Sequence, residues 1–214
     1  MVSKTTQRWI TAAMIGGLIA FSMTMLLHRM MGAQAVSAEQ LHSWGAYLYE
    51  EPRELAAFQL QDDRGVPFDN QRLHDRWTFA FLGFTRCPDV CPTTMAVLKQ
   101  FRTLIEGSPL AADTQVVLVS LDPAYDTPER MGSYVRQFDP TFVGVTGERA
   151  IIESFARQLH VAFEQGAHHS GDHADIMHSS QIALFDPQGR LAGFFRAPHN
   201  AGNLWQAYQA LRSS

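Results

Sequence analysis

Cysteine is almost absent from this chain: two residues in 214, Cys87 and Cys91. A disulfide-dense secreted scaffold, which needs several such pairs, is therefore excluded. The sequence also lacks internal repeats, low-complexity tracts and a Gly-rich phosphate loop. No basic patch is present, and the formal charge is −4. The first 30 residues carry Lys4, Arg8 and Arg29 and no acid, so the excess of acid falls on the rest of the chain. Phosphate backbones are bound by clustered Lys and Arg, so nucleic acid is excluded as a partner. What remains is 46% hydrophobic residues, enough for the full core of one domain with an appendage.

The two cysteines sit together in Phe81-Leu-Gly-Phe-Thr-Arg-Cys87-Pro-Asp-Val-Cys91-Pro-Thr-Thr-Met95, each followed by proline. An apolar run from Trp77 to Phe84 reads as a strand buried on both faces. A helical pattern from Thr93 to Leu104 follows, with Met95, Leu98, Phe101 and Leu104 at core spacing. Thiols between a strand and a helix N-terminus lie where the dipole and unpaired N–H groups favour thiolate. A helix starting near Cys87 puts both sulfurs on one face, with Cβ atoms about 5–6 Å apart. That is wide for an unstrained disulfide, while small rotamer changes let both sulfurs share one metal ion. Pro88 and Pro92 suit a first helical turn. A structural disulfide here would close a very short loop and contribute little stability, which points to chemistry instead.

Trp9 to Leu27 holds no charge over 19 residues. At ~1.5 Å per residue this nearly spans a bilayer core of ~30 Å. Lys4 and Arg8 before it orient the rest of the chain outward. The expected organisation is a membrane anchor over residues 1–30, a tether over 31–53 and one domain over 54–214. A cleaved signal peptide is the alternative, with Ala33-Gln-Ala35 or Ala35-Val-Ser-Ala38 as the cleavage site. In the tether, Trp44, Tyr47 and Tyr49 suit packing on the domain.

Ala57 to Phe68 reads as a β-hairpin around Gly65. Gln115 to Leu121 is a second buried strand, completing a β-α-β unit with the cysteines at its carboxyl edge, where ligands gather in open α/β sheets. Thr127-Pro128-Glu129 marks a helix start, with Thr as cap. A strand near 142–145, a helix over 148–159, strands over 176–185 and 190–195 and a helix over 202–211 complete the chain. The alternation predicts an α/β, thioredoxin-like fold with an N-terminal β-hairpin extension, preceded by one transmembrane helix.

Three stretches together resemble the SCO/SenC family, thioredoxin-fold proteins that help deliver copper to cytochrome c oxidase. They are Gly83-Phe-Thr-Arg-Cys87-Pro-Asp-Val-Cys91-Pro-Thr-Thr, Ser120-Leu-Asp-Pro-Ala-Tyr-Asp-Thr-Pro-Glu129, and Met177-His178-Ser-Ser followed by Asp186-Pro-Gln-Gly189. The likeness runs from about residue 41 to the C-terminus. It implies a metal site made by Cys87, Cys91 and His178, with a copper ion held by two soft thiolates and one imidazole. On the expected strand, His178 shares a face with Ser180, Ile182 and Leu184 and so points inward. Zinc is the rival metal, although structural zinc usually has four protein ligands.

The resemblance further implies a metallochaperone in the bacterial inner membrane, with a single span and its soluble domain in the periplasm. Its acceptor is the dinuclear copper site of cytochrome c oxidase subunit II, and a periplasmic thiol reductant or copper donor keeps it supplied. An enzyme is the alternative: a thiol–disulfide oxidoreductase using the redox-active pair Cys87 and Cys91 without His178. A peroxidase of the peroxiredoxin kind fits less well, because Thr85 lies two residues before Cys87 where that family has three. A binding-only redox sensor also remains open. Asp122 and Asp126 read either as acceptors that orient His178 or receive a partner, or as a turn residue and a helix-cap contributor. Asp89 is expected to be exposed between the cysteines. His168, His169 and His173 read as a second metal-capturing loop or as a solvated tract.

Overall fold

The computed structural model describes residues 14–25, 36–165 and 176–213. Residues 14–25 are helical and present exposed Met14, Leu18 and Phe21. Among the described residues no helix is long and apolar enough to cross a membrane. The expected span from Trp9 to Leu27 begins and ends outside the described residues.

Ala38–Tyr208 form one compact unit. Its elements are α1 (Ala38–Ser43), β1 (Ala46–Arg53), β2 (Gln59–Asp62), β3 (Pro67–Asp69), β4 (Trp77–Gly83), α2 (Val90–Ile105), α3 (Pro109–Ala112), β5 (Thr114–Ser120) and α4 (Pro128–Val135). They are followed by β6 (Val143–Thr146), α5 (Arg149–Gln158), β7 (Phe163–Gln165), β8 (Ile176–His178), β9 (Ile182–Phe185), β10 (Leu191–Phe195) and α6 (Ala201–Ser213). Eight strands make one sheet in the order β1-β10-β9-β4-β5-β6-β2-β3, and β7 and β8 pair separately. β4, β5 and β6 run parallel, and the remaining pairs are antiparallel. The apolar runs of β4 and β5 belong to these central strands because both of their faces are covered.

The strand order β4-β5-β6 follows the chain, so two successive right-handed crossovers place α2 and α4 on the same face. On that face Phe79 meets Phe101 of α2 at 4.6 Å and Tyr208 of α6 at 5.3 Å between ring centroids. α4 comes so close to β6 that a Cβ on Gly144 would lie 2.7 Å from Met131 Cβ. α5 covers the other face, where Phe155 stacks on Phe185. Helices on both faces of a mostly parallel sheet centre give the expected thioredoxin-like α/β fold, and β2–β3 is the expected hairpin.

The structure departs from the expected elements in three places. Residues 46–53, expected in the tether, form β1, which zips onto β10 from Ala46↔Phe195 to Leu48↔Gly193. Its aromatic residues drive this, with Tyr47 stacked on Phe194 at 5.3 Å. The helix after the cysteines starts at Val90, so Cys87 and Pro88 precede it and only Pro92 lies in its first turn. Finally, the single strand expected over 176–185 is two, β8 and β9. The residues between them bond elsewhere: Ser179 N–H donates to the Ala162 carbonyl and the Gln181 side chain to that of Leu159.

Candidate metal centre

Gly83 ends β4 next to Ser120 of β5. A turn follows, closed by the Cys87 N–H donating to the Phe84 carbonyl at 3.2 Å. Asp89 is exposed, as expected, and stands at the cap position of α2, but its side chain makes no capping bond there. The Cys87 sulfur takes that place, 3.4 Å from the backbone N–H of Cys91 in the first turn. Sequence spacing had suggested two helical sulfurs, but one is a cap and the other a helix residue. Both side chains are thiols. Cys87 is half-buried and Cys91 wholly buried.

This asymmetry sets their chemistry. The hydrogen bond with the Cys87 sulfur, and then burial, push the Cys91 thiol well above its usual pKa. Cys91 therefore holds its proton toward Cys87, whose sulfur accepts from both the thiol and the helix N-terminus. An ion that takes both sulfurs must displace protons, so its uptake strengthens with rising pH.

Two acids hold the loop. Asp126, fully buried, accepts from the Thr85 N–H (3.2 Å), the Thr85 hydroxyl and the Ser120 hydroxyl (2.7 Å). It thus ties the residues just before Cys87 to the end of β5. Burial raises its pKa, outweighing the bonds from Thr85 and Ser120 that lower it. Asp122 pairs with Arg86 at 2.5 Å. The Arg86 and Arg130 guanidiniums each lie 4.1 Å from the Tyr125 ring centroid. Helix capping, one role read for Asp126, falls to Thr127, whose side chain accepts from the Arg130 N–H at 3.3 Å. Sequence reasoning did not single out Arg86, Ser120 or Tyr125, and it weighed Thr85 only for its spacing from Cys87. Arg86 lies inside the cysteine motif and was read only as its spelling.

His178 ends β8, opposite Phe163 of β7. β9 runs antiparallel to β4, with Ile182 opposite Phe81. The chain therefore enters β9 at the edge where β4 delivers the cysteine loop. The His178 side chain and residues 166–175, which include His168, His169 and His173, lie outside what is described. Among the described residues no group of three His, Cys, Asp or Glu is placed to hold a metal ion.

The segment between β8 and β9 is pinned by His199, whose Nε2 lies 2.6 Å from the Ser180 carbonyl. Burial lowers the His199 pKa, against the raising effect of that bond. Its neutral form therefore stabilises the fold, fully above the unfolded imidazole value of about 6.5 and progressively less as pH falls through the lower folded value. The thermal unfolding midpoint should drop between about pH 7.5 and 5.5, and His199→Gln should flatten that drop.

A dithiol at the helix N-terminus on the carboxyl edge of such a sheet defines a thiol protein of the thioredoxin-like class. The SCO1/SenC family model matches residues 48–212, and the chain belongs to that family. A Stutzerimonas stutzeri protein named for copper binding is 38% identical over 153 residues, covering 69% of this chain and 72% of the relative. The mitochondrial SCO2 homologue of Mus musculus is 28% identical over 144 residues, 67% of this chain and 56% of the relative, so the match spans little more than half of that protein. Among solved structures, Arabidopsis thaliana ScoI with copper bound has a TM-score of 0.68 at 28% identity, covering 74% of this chain and 98% of that one.

Proposed function

We propose that the chain binds one copper ion through Cys87, Cys91 and His178 and passes it to the dinuclear copper site of cytochrome c oxidase subunit II. The observation that carries this is the pairing of two thiols, one capping the helix and one buried beneath it. Family membership and the copper-bound structure of a relative support the choice of metal. Two soft sulfurs and one imidazole suit Cu(I) and also accommodate Cu(II). Anchoring by the N-terminal apolar run in a bacterial inner membrane, with the domain in the periplasm, would raise its effective concentration near a membrane-bound acceptor. A periplasmic reductant is required, because a disulfide between the cysteines removes both sulfur donors.

The asymmetry of the pair also suits a second reading, thiol–disulfide exchange. The outer sulfur attacks a partner disulfide, the inner one resolves the mixed disulfide, and the partner leaves as a dithiol while this pair is oxidised. The two readings separate at His178. In the reduced full chain, His178→Ala should weaken Cu(I) binding by about 100-fold or more, since even residues behind a ligand contribute 10- to 100-fold. Its rate of exchange with a model disulfide should be unchanged. Wild-type copper affinity in the variant, measured by competition with a chromophoric Cu(I) chelator, would remove the imidazole from the site.

A further inference from the structure

A cavity of about 310 Å³ opens beside the thiol loop, and its wall includes Thr85, Tyr125, Glu129, Arg130, Ser133 and Tyr134. Small-molecule sites run about 300–1,000 Å³, so this one suits a guest of amino-acid size. Thr85 stands two residues before Cys87, and two residues of chain span at most about 7 Å. The outer cysteine is thus a near neighbour of the cavity.

The wall carries one cation, Arg130, and one anion, Glu129, both exposed. Neither is in an ion pair among the described residues. Arg130 is fixed by its stacking on Tyr125 at 4.1 Å and by its Nη1 donating to the Tyr125 carbonyl at 2.7 Å. Its Nε and Nη2 make no hydrogen bond among the described residues and face no competing carboxylate. Arg86, the other guanidinium on that ring, is neutralised by Asp122. Glu129 accepts from its own backbone N–H and from the Thr127 hydroxyl, which hold its pKa below the usual carboxylate range. A carboxylate has about four lone-pair sites, so two bonds leave room for a further donor. A guest that satisfies both charges needs a carboxylate and an ammonium a few bonds apart, as on an α-amino acid. A guest that uses the neighbouring sulfur pair needs a thiol.

We propose that this cavity receives an amino-acid thiol, its carboxylate on Arg130 and its ammonium on Glu129, as the reductant of the oxidised Cys87–Cys91 pair. The guest thiolate attacks the sulfur of Cys87, the cysteine with exposed surface, and the Cys87–Cys91 bond breaks. Cys91 leaves as a thiolate and takes up the proton that the guest has lost. A second thiol attacks the guest sulfur of the mixed disulfide, restores the Cys87 thiol and departs as the guest disulfide. Two thiols thus supply two electrons and two protons. This names the chemical class of the reductant that the proposed function requires, and it rests on the sulfur chemistry of that reading rather than on copper.

The test is the rate at which four thiols reduce the oxidised full chain, followed by acid quenching, alkylation and mass. Cysteine carries both charges, 3-mercaptopropionate only the negative one, cysteamine only the positive one, and 2-mercaptoethanol neither. Dividing each rate by that of 2-mercaptoethanol on the same protein removes any general effect of a substitution on the thiol loop. Against wild type, the cysteine ratio should fall about two- to tenfold in Arg130→Gln and again in Glu129→Gln, the effect of one charge-assisted contact near water. The 3-mercaptopropionate ratio should fall only in Arg130→Gln, and the cysteamine ratio only in Glu129→Gln. A cysteine ratio equal to wild type in either variant overturns the proposal. So does a slowing shared by all four thiols, which would mark the two residues as mere supports of the loop. No step here involves copper, so failure leaves the copper reading standing, and a chain that binds no copper is still judged by these rates.

Discussion

Asp126→Ala is expected to be the most destabilising single change near the centre. It strands the Thr85 N–H, the Thr85 hydroxyl and the Ser120 hydroxyl, all of which now end on one buried carboxyl group. A buried donor left without a partner costs about 1–3 kcal/mol, and with Ser120 buried and Thr85 half-buried the loss should be about 3 kcal/mol. Urea unfolding of the reduced protein measures it. Asp126→Asn keeps an acceptor oxygen and should lose much less. The two variants also separate the acid's two effects. Burial raises the folded pKa of Asp126, so the contribution of this one group to stability is fully present below the unfolded carboxyl value of about 3.9 and is lost as pH rises through the higher folded value. The asparagine variant lacks that decline. A wild type and an Asp126→Asn protein with parallel stability–pH curves would refute this account of the residue.

Gly83→Ala should damage the centre while leaving every donor in place. A Cβ there would lie 2.8 Å from the Cys91 sulfur, 3.0 Å from Phe81 Cε1 and 3.3 Å from Leu118 Cδ1. The neighbours are core side chains with nowhere to retreat, and overpacking of this kind typically costs about 1–3 kcal/mol. The functional loss should be larger in kind. The sulfur nearest the added methyl is one of the two proposed ligands, and a displaced donor weakens metal binding by about 10- to 100-fold. Cu(I) competition and urea unfolding on the same preparation separate the two effects. Unaltered copper affinity in a folded Gly83→Ala protein would show that the Cys91 sulfur is not a ligand.

Much of the sheet could be read from the sequence because its central strands carry their burial in composition. β4 is almost wholly apolar, β5 carries the apolar run Val116 to Val119, and the Thr-Pro-Glu start of α4 states its own boundary. β1 could not be read this way. It lies at the sheet edge with its acids outward, and its pairing with β10 joins residues far apart in the chain. The β8–β9 break was equally hidden, since the bonds that divert Ser179 and Gln181 come from the end of α5 and the residues after it. At the centre, the motif located both thiols but misjudged the helix start by about one turn. Helix periodicity does not reveal that a sulfur can stand where a carboxylate usually caps.

Because Cys91 has no solvent-accessible surface while Cys87 has some, anything arriving from outside meets the pair in a fixed sequence. On the proposed reading, the outer sulfur would meet an ion first and the inner one would engage only after that visitor is held. Departure would run in reverse, the inner grip loosening before the outer. A recipient could then take hold of the cargo while one sulfur still retains it, so the ion need never drift loose in the surrounding water.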